Sequence, residues 1–232
     1  SGGQQWEINS TTISTGAWHH VVCSQDGTEV KNYFDGVLKT TFQGSPSDKS
    51  KWISANMDNV RIGCVNKNGQ GNSQFYQGLV DDIGLWNVAL NQTQVTSLYN
   101  SGTGRLANTE STGLKAYYNC DSLTVSNNAV VTDEKASLIT TFSDSLGTSG
   151  DATSNDAELV TSGHKLGTGC LDFDGSEKIV ATNGLQNAMD TAGSISMWFN
   201  ADQDEDAILI AFCDADANTK MEVTTRSNRK IG

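Results

Sequence analysis

Gln77-Gly78-Leu79-Val80-Asp81-Asp82-Ile83-Gly84-Leu85-Trp86-Asn87 is the stretch on which the fold turns. It closes an apolar run that predicts one long strand, Phe75 to Trp86. Upstream, residues 66–74 are turn chemistry almost throughout. Downstream, the spacing predicts a single helix from about Asn91 to Asn100. Asn91 is a good N-cap, and Gln94 three positions on completes a capping box. Leu90 and Val95 can form a hydrophobic staple across the cap. Val95, Leu98 and Tyr99 make the apolar face, and Gly102 is placed to end the helix.

Outward from this segment the pattern is short strands and tight turns. Trp18–Cys23 reads as a strand, Asp26-Gly27 as a hairpin turn, Val30–Phe34 as the return, and Asp35-Gly36 as a second turn into Val37–Phe42. Asn59–Gly63 is another strand. Residues 43–56 form a polar loop, and residues 103–112, small and polar, read as a linker. Leu114–Cys120 resumes as a strand. Residues 121–165 are weakly patterned, with short apolar clusters such as Ala136–Phe142. Leu171–Phe173 and Lys178–Val180 flank an Asp174-Gly175 turn. Ser194–Asn200, Ala207–Cys213 and Lys220–Thr225 are further strands. Many strands with one helix argue an all-β domain.

Composition agrees. The 232 residues hold 23 Gly and a single Pro, Pro46, so Gly, Asn, Asp, Ser and Thr must supply the turns. The net charge of −12 argues against nucleic acid and anionic membrane as partners. It fits a cation-binding or saline-adapted protein, or simply a soluble one. No apolar run is long enough to span a bilayer, so no membrane insertion is expected. Five cysteines, Cys23, Cys64, Cys120, Cys170 and Cys213, form no C-x-x-C pair. Buried free thiols are the default expectation, with one or more disulfides as the alternative.

Taken together, Trp18-His19-His20-Val21-Val22, Asp26-Gly27, Tyr33-Phe34-Asp35-Gly36, Ile62-Gly63, the Gln77–Asn87 run and the Ala89-Leu90-Asn91 step into Leu98-Tyr99 resemble a laminin-G-like module. That family sits in the concanavalin A-like lectin/glucanase group. These pieces resemble its second half. Gly113-Leu114-Lys115-Ala116-Tyr117-Tyr118-Asn119-Cys120-Asp121, then Gly169–Gly175, then Ser194–Phe199, resemble its first half. Asn119-Cys120 replaces the family's Pro-Phe, and residues 122–165 are longer and less recognisable. The resemblance implies an all-β jelly-roll sandwich of two antiparallel sheets with one short α-helix, permuted in sequence. Residues 1–105 would be the C-terminal half and 106–232 the N-terminal half of one closed domain. The chain is then either a circularly permuted module or one period of a tandem array. Residues 1–5 and 228–232 are expected near one another at a loop. A monomer is expected, with a swapped dimer as the rival.

The residues bear on chemistry as follows. Hydrolases of this fold class carry Glu-x-Asp-x-x-Glu on one strand; Glu177, Glu205 and Glu222 lack that spacing. His19 and His20, adjacent on a strand, point to opposite faces and cannot chelate one metal together. No Ser/His/Asp arrangement can be argued from the sequence. The resemblance implies a structural Ca2+, with Asp81, Asp82 and Asp121 at the family's recurring acidic positions. The alternative is that these carboxylates cap a bulge and a strand end. Asp202, Asp204 and Asp206 read as a solvated loop. Trp6, Trp52 and Tyr76, beside polar loop residues, are candidate sugar platforms. Trp18, Trp86 and Trp198 fall in core motifs and are expected buried. Asn9 and Asn91 head glycosylation sequons, but Asn91 is better explained as the cap.

The expected function is non-catalytic recognition of a glycan or a surface protein. The chain would be one module of a larger extracellular, cell-surface or virion-surface protein. A structural spacer without ligand and a diverged glycosidase are the alternatives.

Overall fold

The structure, a computed structural model, describes residues 7–8, 13–39, 42–43, 59–66, 71–121, 124–125, 129–132, 141–143, 157–182, 192–213, 221–226 and 230–231. Every strand pairing among them is antiparallel. One sheet runs, in spatial order, Glu158–Val160, Cys170–Asp174, Gln77–Trp86, Gly193–Ala201, His19–Gln25, Val30–Phe34 and Val37–Lys39. Leu114–Tyr118 also pairs with Gln77–Trp86. Val65–Asn66 and Asn72–Ser73 pair on their own, and the other large sheet holds ten strands among the described residues. At its centre Ile179–Thr182, Asn59–Ile62, Ala207–Cys213 and Met221–Arg226 lie side by side. The expected two-sheet antiparallel sandwich is present.

The period of two fixes the packing. Val21 and Cys23 lie in the main core, with Ile83, Leu85, Phe173, Ile195, Met197 and Phe199 of their own sheet. Ile62, Ile210, Phe212 and Val223 of the other sheet meet them there. The intervening Val22 belongs to a second cluster with Tyr33, Trp86, Leu114 and Tyr117, under Leu90, Val95 and Leu98. The first sheet is therefore covered on both faces, by the other sheet and by the helix. This is why all seven residues of His19–Gln25 are buried.

Strands from the two halves of the chain interleave. Gly193–Ala201 lies between Gln77–Trp86 and His19–Gln25. In the other sheet, Asn59–Ile62 lies between Ile179–Thr182 and Ala207–Cys213. Glu7–Ile8 pairs with Lys230–Ile231, Ile8 opposite Ile231, so the two regions meet in a ladder rather than at a loop.

The helix spans Gln92–Tyr99 with Asn91 as its cap. Asn91 Oδ1 accepts from the N–H groups of Thr93 and Gln94, and the Gln94 side chain accepts from Asn91 N–H. Leu90 and Val95 are buried in one cluster, as the staple requires. The helix ends earlier than Gly102. Asn100 (φ 46°) takes the left-handed conformation, which asparagine tolerates, and Ser101 and Gly102 follow it there. Residues 103–112 are not a free linker. They form a short 3-10 turn at Ala107–Thr109, and Ala107 is fully buried against the first sheet. At Asp35-Gly36 both residues have positive φ, giving the two-residue hairpin the sequence predicts. A Cβ on Gly36 would sit 2.6 Å from the Tyr99 ring.

Candidate functional site

Asp81 and Asp82 sit where the long strand Gln77–Trp86 changes partners. On one edge it pairs with Cys170–Asp174 through residues 77–80, then with Leu114–Tyr118 from residue 83 onward. On the other edge the register with Gly193–Ala201 shifts between Ser196 and Trp198. Asp82, at φ 51°, is the extra residue of this bulge. Val80 and Ile83, three apart, consequently both enter the main core. The two carboxylates are left for the loops beside the helix.

Each carboxylate then ties down a segment distant in sequence. Asp82 accepts from Ala107 N–H (3.0 Å) and Tyr117 O–H (2.8 Å). Asp81 Oδ2 accepts from Lys165 N–H and Leu166 N–H, both at 2.9 Å. Asp121 Oδ1 accepts from Gly169 N–H (2.9 Å), Thr168 N–H and Thr168 Oγ1. A Cβ on Gly167 would fall within 2.3 Å of both Asp121 oxygens, so only glycine lets the loop wrap this carboxylate. The loop 161–169 is thus clamped by two carboxylates, from residues 81 and 121. The Lys165 ammonium adds a contact 4.3 Å over the Trp198 ring and a hydrogen bond to Gly102 C=O.

Burial dominates the electrostatics. It pushes Asp81 up to about 8 and Asp82 to about 7, against the hydrogen bonds that favour their charged forms. The negative charge of Asp121 raises both further. Asp81 Oδ1 is buried and has no hydrogen-bond partner among the described residues. The three aspartates expected to ligate calcium do not converge on one point. Both oxygens of Asp82 are engaged by Ala107 and Tyr117, and among the described residues no group of three acidic, His or Cys side chains could hold a metal. Asp81 meets the loop 161–169 through Oδ2 and Asp121 through Oδ1, while Asp81 Oδ1 stays unpartnered.

The aromatic candidates sort differently from expectation. Trp6 and Trp52 lie outside the described residues. Tyr76 is no platform: it is 1% exposed, edge-on to Phe173, with its hydroxyl donating to Leu79 C=O. Trp86 and Trp198 are buried as expected. Trp18 is not. It is half-buried, and its indole N–H donates to Gly163 C=O (2.8 Å) on the clamped loop. The strand itself begins one residue later, at His19.

His19 and His20 do point to opposite faces. His19 stacks on Phe34, and His20 packs on Trp198 and Tyr99. His19 also lies in a chain of hydrogen bonds with Ser14 and Asp35 that the sequence did not reveal. Cys23, Cys120 and Cys170 are buried free thiols, in line with the default expectation, and Cys64 is buried as well.

The architecture defines a class, the antiparallel β-sandwich with one covering helix. Residues 1–96 match a laminin-G-like family model described as the concanavalin A-like lectin/glucanases superfamily. No curated protein and no solved structure matches the chain. Laminin-G-like domains are as a class binding and adhesion modules, typically non-catalytic and common in extracellular proteins, in a superfamily that also includes glycosidases.

Proposed function

We propose that this chain is a recognition module that binds a glycan or a surface protein without cleaving it, as part of a larger extracellular, cell-surface or virion-surface protein. Its two halves run in exchanged order relative to the family pattern, and it works as a monomer. The observation that carries the reading is Trp18. Among the described residues it is the one tryptophan not sealed in the core, and its edge is fixed by a loop that Asp81 and Asp121 hold in place. A rigid, half-exposed indole beside polar backbone is the surface on which a sugar ring stacks. Calcium, bound by Asp81 Oδ1 and the Asp121 carboxylate, would neutralise two nearby acids and stiffen the loop.

The test is a glycan array followed by titration calorimetry on the strongest hit, with wild type and Trp18→Ala, in calcium and in EDTA. The expected result is binding that Trp18→Ala weakens at least tenfold, and a melting temperature that EDTA lowers in wild type but not in Asp121→Asn. Binding unaffected by Trp18→Ala would move the site elsewhere. No binding to any glycan or surface-protein ligand would leave the spacer reading. A melting temperature indifferent to EDTA would remove the calcium.

A further inference from the structure

Ser14, His19 and Asp35 form a connected relay that the recognition reading does not use. Ser14 Oγ lies 2.9 Å from His19 Nε2, and His19 Nδ1 lies 2.8 Å from Asp35 Oδ2. Two neighbours independently fix the tautomer. The Asp35 carboxylate can only accept, so Nδ1 carries the hydrogen. The backbone N–H of Ser14, a donor only, points at Nε2 from 3.3 Å, so Nε2 carries the lone pair. The lone pair is shared between that N–H and the Ser14 hydroxyl, which donates to it from the shorter distance, as a general base needs.

The parts are also held in place. The other oxygen of Asp35 accepts His20 N–H at 2.9 Å, locking the carboxylate in its hairpin turn. The His19 ring packs against Phe34 (centroids 4.9 Å apart) and Phe199 (5.8 Å), leaving it about nine-tenths buried. The turn bearing Ser14 is pinned by Gly16 N–H donating to Ala201 C=O at 2.9 Å. Ser14 itself is exposed. A buried, oriented base with an exposed hydroxyl at its tip is the geometry of an activated nucleophile.

We propose that Ser14 is a nucleophile toward small carboxylic esters, with His19 as general base and Asp35 as the positioning residue. Ser14 Oγ bonds to the ester carbonyl carbon while its proton passes to His19 Nε2. The carbon–alkoxide bond breaks, and the alcohol leaves with that proton. Water then attacks the acyl carbon, giving its proton to Nε2. The bond to Ser14 Oγ breaks, the serine recovers the proton, and the acid is released. The sum is ester plus water to acid plus alcohol. This proposal uses none of the groups invoked for glycan recognition and stands whether or not that reading holds.

The test treats wild type, Ser14→Ala and Asp35→Asn with a fluorophosphonate probe and with p-nitrophenyl acetate, and maps adducts by peptide mass spectrometry. The expected result is a Ser14 adduct absent from Ser14→Ala and formed about 100-fold more slowly in Asp35→Asn, whose asparagine favours the wrong tautomer. The wild-type rate should follow a pH profile that Asp35→Asn shifts. Because Asp35 also braces a turn, Ser14→Cys gives a second arm at an exposed position. Its thiol should react with iodoacetamide at neutral pH at least tenfold faster than a cysteine peptide, because His19 promotes the thiolate. Absence of a Ser14 adduct, labelling indifferent to Asp35→Asn in folded protein, or a thiol in Ser14→Cys no faster than the peptide overturns the proposal.

Discussion

At the scale of single residues, His20 carries the largest pH consequence. It is 1% exposed, and burial holds its imidazole down to about 3, with Asp35 opposing and Lys165 adding to that effect. In the unfolded chain the ring takes a proton near the usual ~6.5, one that the folded protein refuses. Its contribution to stability is therefore intact above that pH. It is lost as pH falls, by about 1.4 kcal/mol per unit down to the folded value. Asp81 and Asp82 run the other way: their raised values make the fold gain stability as pH falls toward the ordinary carboxylate range. A comparison with His20→Gln, which can keep the bond to Ser196 Oγ, isolates the histidine. Urea unfolding at pH 7.5, 6.5 and 5.5 should show the wild type losing ground to the variant only below about 6.5. Parallel curves would refute a buried, uncharged His20. The sequence told which faces the two histidines occupy, because strand alternation is local. It could not tell that Ser14 and Asp35 meet His19, since Asp35 already had a complete explanation in its turn and Ser14 sits in polar sequence without a pattern. The burial of Tyr76 is illegible for a related reason: its neighbours are polar, and Phe173, which packs on it, is nearly a hundred residues away.

At the scale of elements, the helix was the most legible feature, since its cap, box and staple are all written within nine residues. Asn91→Ala removes the acceptor of two backbone N–H groups and half of the capping box, and should cost about 1 kcal/mol. Asn91→Asp should restore most of it, as chemical denaturation of the three proteins would reveal. Equal stability of all three would mean the helix is held by Leu90, Val95 and Leu98 alone. Segment 103–112 was less legible, because composition alone suggests a linker. What orders it is Asp82, whose carboxylate reaches Ala107 N–H across 25 positions of chain. The bulge at Asp82 is likewise invisible locally. Val80-Asp81-Asp82-Ile83 has no glycine to announce a left-handed residue, and the need for one appears only once both flanking ladders are known.

At the scale of the whole molecule, interleaving decides how the protein folds. Gly193–Ala201 has a partner from the first half of the chain on each side, and Asn59–Ile62 has partners from the second half on each side. Residues 1–105 and 106–232, made as separate peptides, should each lack a cooperative melt, because each would present strands without their central neighbours. Mixed, they should regain the β-sheet circular dichroism signal and a single transition. A cooperative melt from either peptide alone would contradict the exchanged-halves reading, and a dimer of the intact chain by light scattering would favour swapping. The proposed exchange rests on motifs that keep their spacing on either side; which strands would be neighbours is not legible in the sequence, because pairing is a property of the closed sheet. The ladder between Ile8 and Ile231 has a mechanical consequence. The two strands are antiparallel, so tension applied outward through residues 7 and 231 pulls from the same end of the ladder. It loads the rungs one after another rather than all together. Stretched that way, the sandwich would peel open from this seam under modest force, while the interior strands stayed paired.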